Sequence, residues 1–269
     1  MTTTDVPNAT AAAEADKPAV LVEERPGILV ITINRPEAKN AIDKAVSYGI
    51  AEALDELDAR PDLAVGVLTG AGSTFCAGMD LKAFLRGERP SIPGRGLAGM
   101  TEVPPATPMI AAVEGYALAG GAELMLACDL VVAGRSAKFG IPEVKRGLVA
   151  AGGGLLRLPE RIPPAIAMEM ALTGDFMTAE RAHSAGLIND LVDDGKALEA
   201  ALALAERIAA NGPLAVAASK KIMVESRGWP MEERFTRMRA ISEPILTSED
   251  AREGAAAFNE KRKPVWKGR

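Results

Sequence analysis

The sequence contains a single histidine, two cysteines, and no apolar run approaching the roughly 20 residues that a membrane-spanning helix needs. Each shortage excludes something. Cys76 and Cys128 form no CxxC pair, so neither a disulfide framework nor a zinc site is expected, and such usage suits a reducing compartment. His183 lies in TAERAHSAGL, a helical pattern with alanines along it, and reads as a bystander near a helix end. Without another histidine, Cys76 in FCAGMD lacks a base, and Ser–His or Cys–His catalysis has no good candidate. A dinucleotide loop is missing too. Gly70-Ala71-Gly72 follows a strand, but the third glycine of GxGxxG would fall at Phe75.

Positive charge is also scarce. The net charge is −5 and the pI about 5.2, which argues against nucleic-acid binding through a basic surface. A phosphate-bearing ligand must be met by local lysines and arginines. The first residues, MTTTDVPNATAAAEADKPAV, have neither the basic start nor the apolar core of a secretory signal, and they contain acids unlike a transit peptide. A mobile tail over residues 1–18 and a cytoplasmic location are the expectation, with no membrane partner.

What is present is a large core. Hydrophobic residues make up 48% of 269, near the upper size for one domain. Val20–Glu24 and Ile28–Asn34 read as strands around Pro26-Gly27, Ala41–Asp58 as a helix, and Leu63–Leu68 as a strand before a glycine-rich loop. A strand at Met109–Val113 then leads to a helix at Gly120. Another at Leu130–Ala133 leads through Lys138–Gly140 to a helix from about Gly153. This strand–strand–helix rhythm predicts mixed α/β with near-parallel strands. Arg86–Pro108, rich in proline and glycine, reads as a mobile flap. From Pro163 onward the pattern is almost wholly helical.

The stretch that organises the chain is MIAAVEGYALAGGAELMLACDL, beginning at Met109. Gly120-Gly121 opens an apolar helix there, and free N–H groups at a helix start attract an anion or a developing oxyanion. Glu123 sits in the first turn. It reads equally as a simple dipole-favoured acid or as a lone buried carboxylate with a task. Glu143, in FGIPE, follows Pro142, which fixes its approach; its neighbours Phe139, Ile141 and Val144 are apolar, although Lys145 and Arg146 leave a surface role open. Two carboxylates delivered to apolar sites suggest an acid–base pair. Asp129 reads as a partner for backbone donors.

Taken together, FCAGMDLK, GYALAGGAELMLACD, FGIPEVKRGLVAAGGG, LTGDFMTAERAHSAGLINDLV and AAFNEKRKPVWKGR resemble, in order and spacing, the crotonase superfamily, and enoyl-CoA hydratase in particular. The likeness covers about residues 20–269. It implies an α/β fold, a spiral of ββα units over residues 19–195, followed by a C-terminal helical trimerisation region over 196–269. Trimers or dimers of trimers are implied.

By similarity, the backbone N–H groups of Met79 and Gly120 form an oxyanion hole, and Glu123 and Glu143 hold the reacting water. Ala77, Asp80, Leu81 and Lys82 line the coenzyme A site, with Ala38 and Lys39 in a further turn. Phe258 and Lys261 reach a coenzyme A bound mainly by a neighbouring subunit. The implied reaction is reversible hydration of a 2-enoyl-CoA thioester, with coenzyme A as part of the substrate and no metal or separate cofactor. An isomerase, another acyl-CoA lyase of the superfamily, and a non-catalytic acyl-CoA-binding protein are the alternatives. The superfamily often carries glycine where this chain has Ala119, and a small residue where it has Met79.

Overall fold

A computed structural model describes residues 17–269, so the expected tail lies outside the described residues as far as residue 16. The chain opens with a hairpin, β1 (Val20–Arg25) and β2 (Ile28–Ile33), turned at Pro26-Gly27, where Gly27 supplies a φ of +74°. Helix α1 (Lys44–Ala59) begins where the Asp43 carboxylate accepts the Val46 N–H, and it buries Val46, Ile50, Leu54 and Leu57. Next come β3 (Val65–Gly70), the short helix α2 (Leu81–Leu85), and the small strands β4 (Ser91–Ile92) and β5 (Gly96–Leu97). The centre of the chain is β6 (Met109–Val113), β7 (Tyr116–Leu118), α3 (Gly120–Ala127), β8 (Leu130–Gly134), β9 (Lys138–Gly140) and a 3-10 turn, Pro142–Arg146. Helices α4 (Gly154–Arg161) and α5 (Pro164–Thr173), strand β10 (Met177–Thr178), helix α6 (Ala179–Ser184) and strand β11 (Asp190–Val192) follow. Helices α7 (Ala197–Ala209), α8 (Pro213–Glu225), α9 (Arg234–Leu246) and α10 (Glu249–Glu260) complete the chain.

Two sheets explain the rhythm read in the sequence. The large one runs β1-β2-β3-β6-β8-β11 and is parallel except for the edge strand β1. The small one runs β10-β9-β7, with β7 and β9 parallel. The chain therefore passes from large sheet to small sheet to helix in each unit. The inner strands β2, β3, β6 and β8 are buried on both faces, which is why they are continuously apolar rather than alternating. Leu29, Ile31, Ile33, Met109, Ala111 and Val113 face the main core. Ile28, Val30, Ile110 and Ala112 face the other way, onto Ala197, Ala201 and Ala205 of α7, spaced four apart on one helix face. So α7, the first helix of the expected C-terminal region, is the second layer over the sheet.

Beyond α7 the packing changes. Neither α8 nor α9 has a buried residue, and Met223, Phe235, Leu246 and Phe258 are exposed. Lys220 of α8 is anchored by an ion pair of 2.7 Å to Asp129, whose carboxylate also accepts the Met109 N–H. That is the backbone-satisfying role read for Asp129.

The segment Arg86–Pro108 differs from the expected loose flap. Strands β4 and β5 pair antiparallel, and Ala98, Met100 and Thr101 are buried. Ser47 donates to the Pro90 carbonyl, Arg95 pairs with Asp55 at 2.8 Å, and the Asp58 carboxylate accepts the N–H groups of Ala106 and Thr107. Its glycines and prolines shape turns, but the apolar residues between them are anchored to α1. No described helix is long and apolar enough to cross a membrane.

Candidate active site

Three parallel stretches lie side by side and end at one edge. The Phe75–Gly78 segment runs along β7: Cys76 donates to the Tyr116 carbonyl at 2.8 Å, and Leu118 donates to the Cys76 carbonyl at 3.0 Å. On its other side β7 pairs with β9, Leu118 opposite Gly140, and Ala119 donates to the Gly140 carbonyl at 2.9 Å. Just past these ends come Met79, Gly120 and Glu143. Residues far apart in sequence thus arrive together because parallel neighbours terminate in register.

The Met79 and Gly120 amides are aimed by their own peptide planes. In a trans peptide the N–H points opposite to the preceding C=O. The Gly78 carbonyl accepts the Ile42 N–H at 2.8 Å, so the Met79 N–H is turned away from Ile42. The Ala119 carbonyl accepts the Glu123 N–H at 3.0 Å along α3, so the Gly120 N–H projects out of the helix start. Among the described residues neither amide has an acceptor. A Cβ placed on Gly120 would lie 3.5 Å from the Met79 nitrogen, so the two donors are neighbours.

Ala119 is held at φ +51°, ψ −126°, a region that glycine enters freely and alanine does not. Relief of that strain, of order 1–3 kcal/mol, exceeds the roughly 0.5–1 kcal/mol that glycine loses through chain entropy. Ala119→Gly is therefore expected to raise the melting temperature by about 2–4 °C. A thermal melt that is unchanged or lower would show that the surroundings already compensate for the strain.

Glu123 projects from the first turn of α3 and is only 3% exposed. Its Oε1 accepts the Gly154 N–H at 3.0 Å, at the start of α4. The run Gly152–Gly154 makes room for it: a Cβ on Gly152 would stand 2.6 Å from Oε2. Desolvation raises the pKa of Glu123, the Glu143 charge adds to that rise, and the Gly152 and Gly154 amides and Arg157 oppose it. Glu143 sits in the 3-10 turn with Oε2 buried and, among the described residues, without a hydrogen-bond partner. Burial raises its pKa as well, against its own backbone N–H and Arg146. The Glu143 charge thus acts on a desolvated Glu123, which disfavours ionisation of both at once.

The candidate coenzyme A residues form a second group on the same loop. Ala77 donates to the Lys39 carbonyl at 3.0 Å, joining the turn of Ala38 and Lys39 to the Ala77–Lys82 stretch. Asp80 caps α2 by accepting the N–H groups of Lys82 and Ala83, and it pairs with Arg35 at 3.0 Å. Burial raises its pKa, but those donors and Arg35 outweigh it and hold the carboxyl below its usual range. Its side chain is therefore committed to structure, while Leu81 and Lys82 remain exposed. Phe258 and Lys261 lie at the far end of α10, Phe258 84% exposed, and no hydrogen bond or ion pair among the described residues joins them to this loop. Cys76 is fully buried, its thiol pushed up to about 12, and His183 is exposed.

Sequence reading did not single out Gly154, Arg35 or Asn40. Asn40, fully buried with φ +55°, donates from its amide to the Ala71 and Thr74 carbonyls. Arg35 bridges Asp43 and Asp80 and donates to the Ala41 carbonyl. The glycine run at 152–154 was the signal for the first of these; the other two become visible only once the loops are brought together.

A family model described as enoyl-CoA hydratase/isomerase matches residues 23–269. A carnitinyl-CoA dehydratase from Salmonella typhi is 46% identical over 251 residues, covering 90% of this chain and 95% of that protein. Among solved structures, an enoyl-CoA hydratase from Mycobacterium tuberculosis H37Rv superposes with a TM-score of 0.93 at 64% identity, over 94% of this chain and 100% of that one. A carnitinyl-CoA hydratase from Mycobacterium avium gives 0.76 at 48% identity, over 94% and 100%.

Proposed function

Since the chain belongs to the enoyl-CoA hydratase/isomerase family, we propose that it adds water reversibly across the 2,3 double bond of a 2-enoyl-CoA thioester, giving a 3-hydroxyacyl-CoA. Coenzyme A enters as part of the substrate, and the reading needs no separate cofactor. The observation that carries it is the arrival, at one edge of the fold, of two unclaimed backbone donors, the buried Glu123 and the half-buried Glu143 whose charge acts on it.

The chemistry follows from charge. Water adding at C3 drives negative charge onto the thioester oxygen, where the Met79 and Gly120 N–H groups receive it. Glu123 takes the proton of the attacking water, because the Gly154 amide and the Arg157 charge favour its anion. Glu143, with an unpartnered buried oxygen, holds its proton and delivers it to C2. One proton is taken and one is given, so the carboxylates exchange protonation states; as product leaves and water re-enters, Glu123 gives up its proton and Glu143 regains one, which resets the pair for the next turnover. Isomerisation needs only one acid, so the pair favours hydration.

The test is a panel of 2-enoyl-CoA esters of increasing chain length, followed by ultraviolet decay of the conjugated thioester. Decay with accumulation of 3-hydroxyacyl-CoA supports the reading; double-bond migration would indicate the isomerase, and binding without turnover would reject catalysis. Carnitinyl-CoA belongs in the panel as a second substrate class, because of the 46% identity to a carnitinyl-CoA dehydratase. Lys82 on α2 and Lys261 after α10 are proposed to meet the nucleotide phosphates. Lys82→Ala and Lys261→Ala should each raise KM by about tenfold, the order of one charged hydrogen bond, with little change in kcat. An unchanged thioester Kd in both would reject that role. The exposed apolar faces of α8–α10 suit burial against further copies of this chain, in a trimer or a dimer of trimers.

A further inference from the structure

Arg157 lies half-buried on α4, one turn beyond the Gly154 amide that holds Glu123. Its guanidinium donates from Nη2 to the Thr101 carbonyl at 2.6 Å, and Nη1 lies against Gly153. It has no ion-pair partner among the described residues. Glu160, in the same helix, is taken by Arg227.

Thr101 is itself 2% exposed, and its hydroxyl accepts the Leu97 N–H at 2.9 Å. Leu97 in turn sits over the oxyanion donor: a Cβ on Gly120 would be 2.7 Å from its Cδ2. An unbroken series of contacts thus runs from the cover over Gly120, through Thr101 and Arg157, to the helix that grips Glu123.

We propose that Arg157 is a positioning residue that fastens the Leu97–Thr101 segment over the oxyanion amides and supplies the positive charge that makes Glu123, rather than Glu143, the ionised member of the pair. The inference rests on the hydration reading above. The charged groups acting on Glu123 are Glu143, which opposes its ionisation, and Arg157, which favours it; the amides of Gly152 and Gly154 add to the latter. Burial holds the Arg157 pKa below its ordinary value, and Arg227 adds to that, while Glu160, Glu123 and Cys128 oppose it.

The experiment compares the pH profile of kcat/KM for wild type, Arg157→Gln, Arg157→Met and Arg157→Lys on one short and one long 2-enoyl thioester. Loss of the charge should move the acidic limb to higher pH, and the Lys variant should bring it back. Loosening the cover should also change the ratio of long-chain to short-chain kcat/KM in the Gln and Met variants. Folded Gln and Met variants with the wild-type limb would overturn the proposal, as would failure of both to fold, since that makes Arg157 a fold element. A wild type that hydrates nothing defeats the functional reading instead, and this inference falls with it; an active wild type with an unmoved limb defeats the inference alone.

Discussion

Glu123→Gln and Glu143→Gln are each expected to lose about two to four powers of ten in hydration rate, the usual worth of one positioned proton transfer. Binding of the thioester should survive in both, since neither acid is placed among the coenzyme A residues. Titration of turnover gives a second signature. Burial raises both acids, Glu123 further through the Glu143 charge, so the acidic limb of the wild-type profile should lie above the ordinary glutamate range. Stability carries the opposite sign to activity. A carboxylate raised on folding contributes stability below its unfolded pKa, and that contribution is lost as pH rises through the folded value. Glu143→Gln removes a carboxyl whose pKa burial raises, and which folding must therefore hold protonated at neutral pH, with one oxygen unpartnered. It should therefore melt higher than wild type at neutral pH, with the difference fading as pH falls into the range of a free glutamate. A variant that hydrates at the wild-type rate would remove that residue from the mechanism.

Gly121→Ala should be the most damaging substitution of a single methyl group near the site. The added Cβ would press into the Cys76 carbonyl, 2.8 Å from its carbon. That carbonyl is already engaged by Leu118, and Cys76 itself by Tyr116. Backbone, unlike the end of a flexible side chain, cannot swing aside, so the helix or the Cys76 strand must move. A cost of about 3 kcal/mol, at the upper end for overpacking, corresponds to a fall of about 6–12 °C in melting temperature. Hydration should fall further than stability implies, because the displaced elements carry the two proposed oxyanion donors. A melt and a turnover rate both within error of wild type would contradict the close approach.

Much of this was readable from particular residues. The apolar runs of β2, β6 and β8 declared buried parallel strands, and Gly120-Gly121 with Glu123 declared a helix start carrying an acid. Asp43, Thr178 and Ser248 each cap a helix as their chemistry requires. The helix start at Gly120 offered free N–H groups from the sequence itself, but the Met79 amide was not visible as a donor, since a backbone amide in a loop has no signature in a sequence; the family resemblance supplied it. The 86–108 segment misled because glycine and proline announce turns and say nothing of what the turns rest on. Arg35, Arg157 and Asn40 were hidden for a related reason. Their partners are mostly backbone carbonyls or residues far along the chain, and a carbonyl is offered by every position alike.

The aim of the Met79 amide has a consequence for how such a site can diversify. Because Ile42 claims the Gly78 carbonyl, the orientation of the next N–H is inherited from the hydrogen bond behind it and is indifferent to the side chain that follows. Position 79 is thereby released from the chemistry it serves. Under the proposed function, exchanging its methionine for a larger or smaller group would alter the space beside the amide while leaving the donor itself in place.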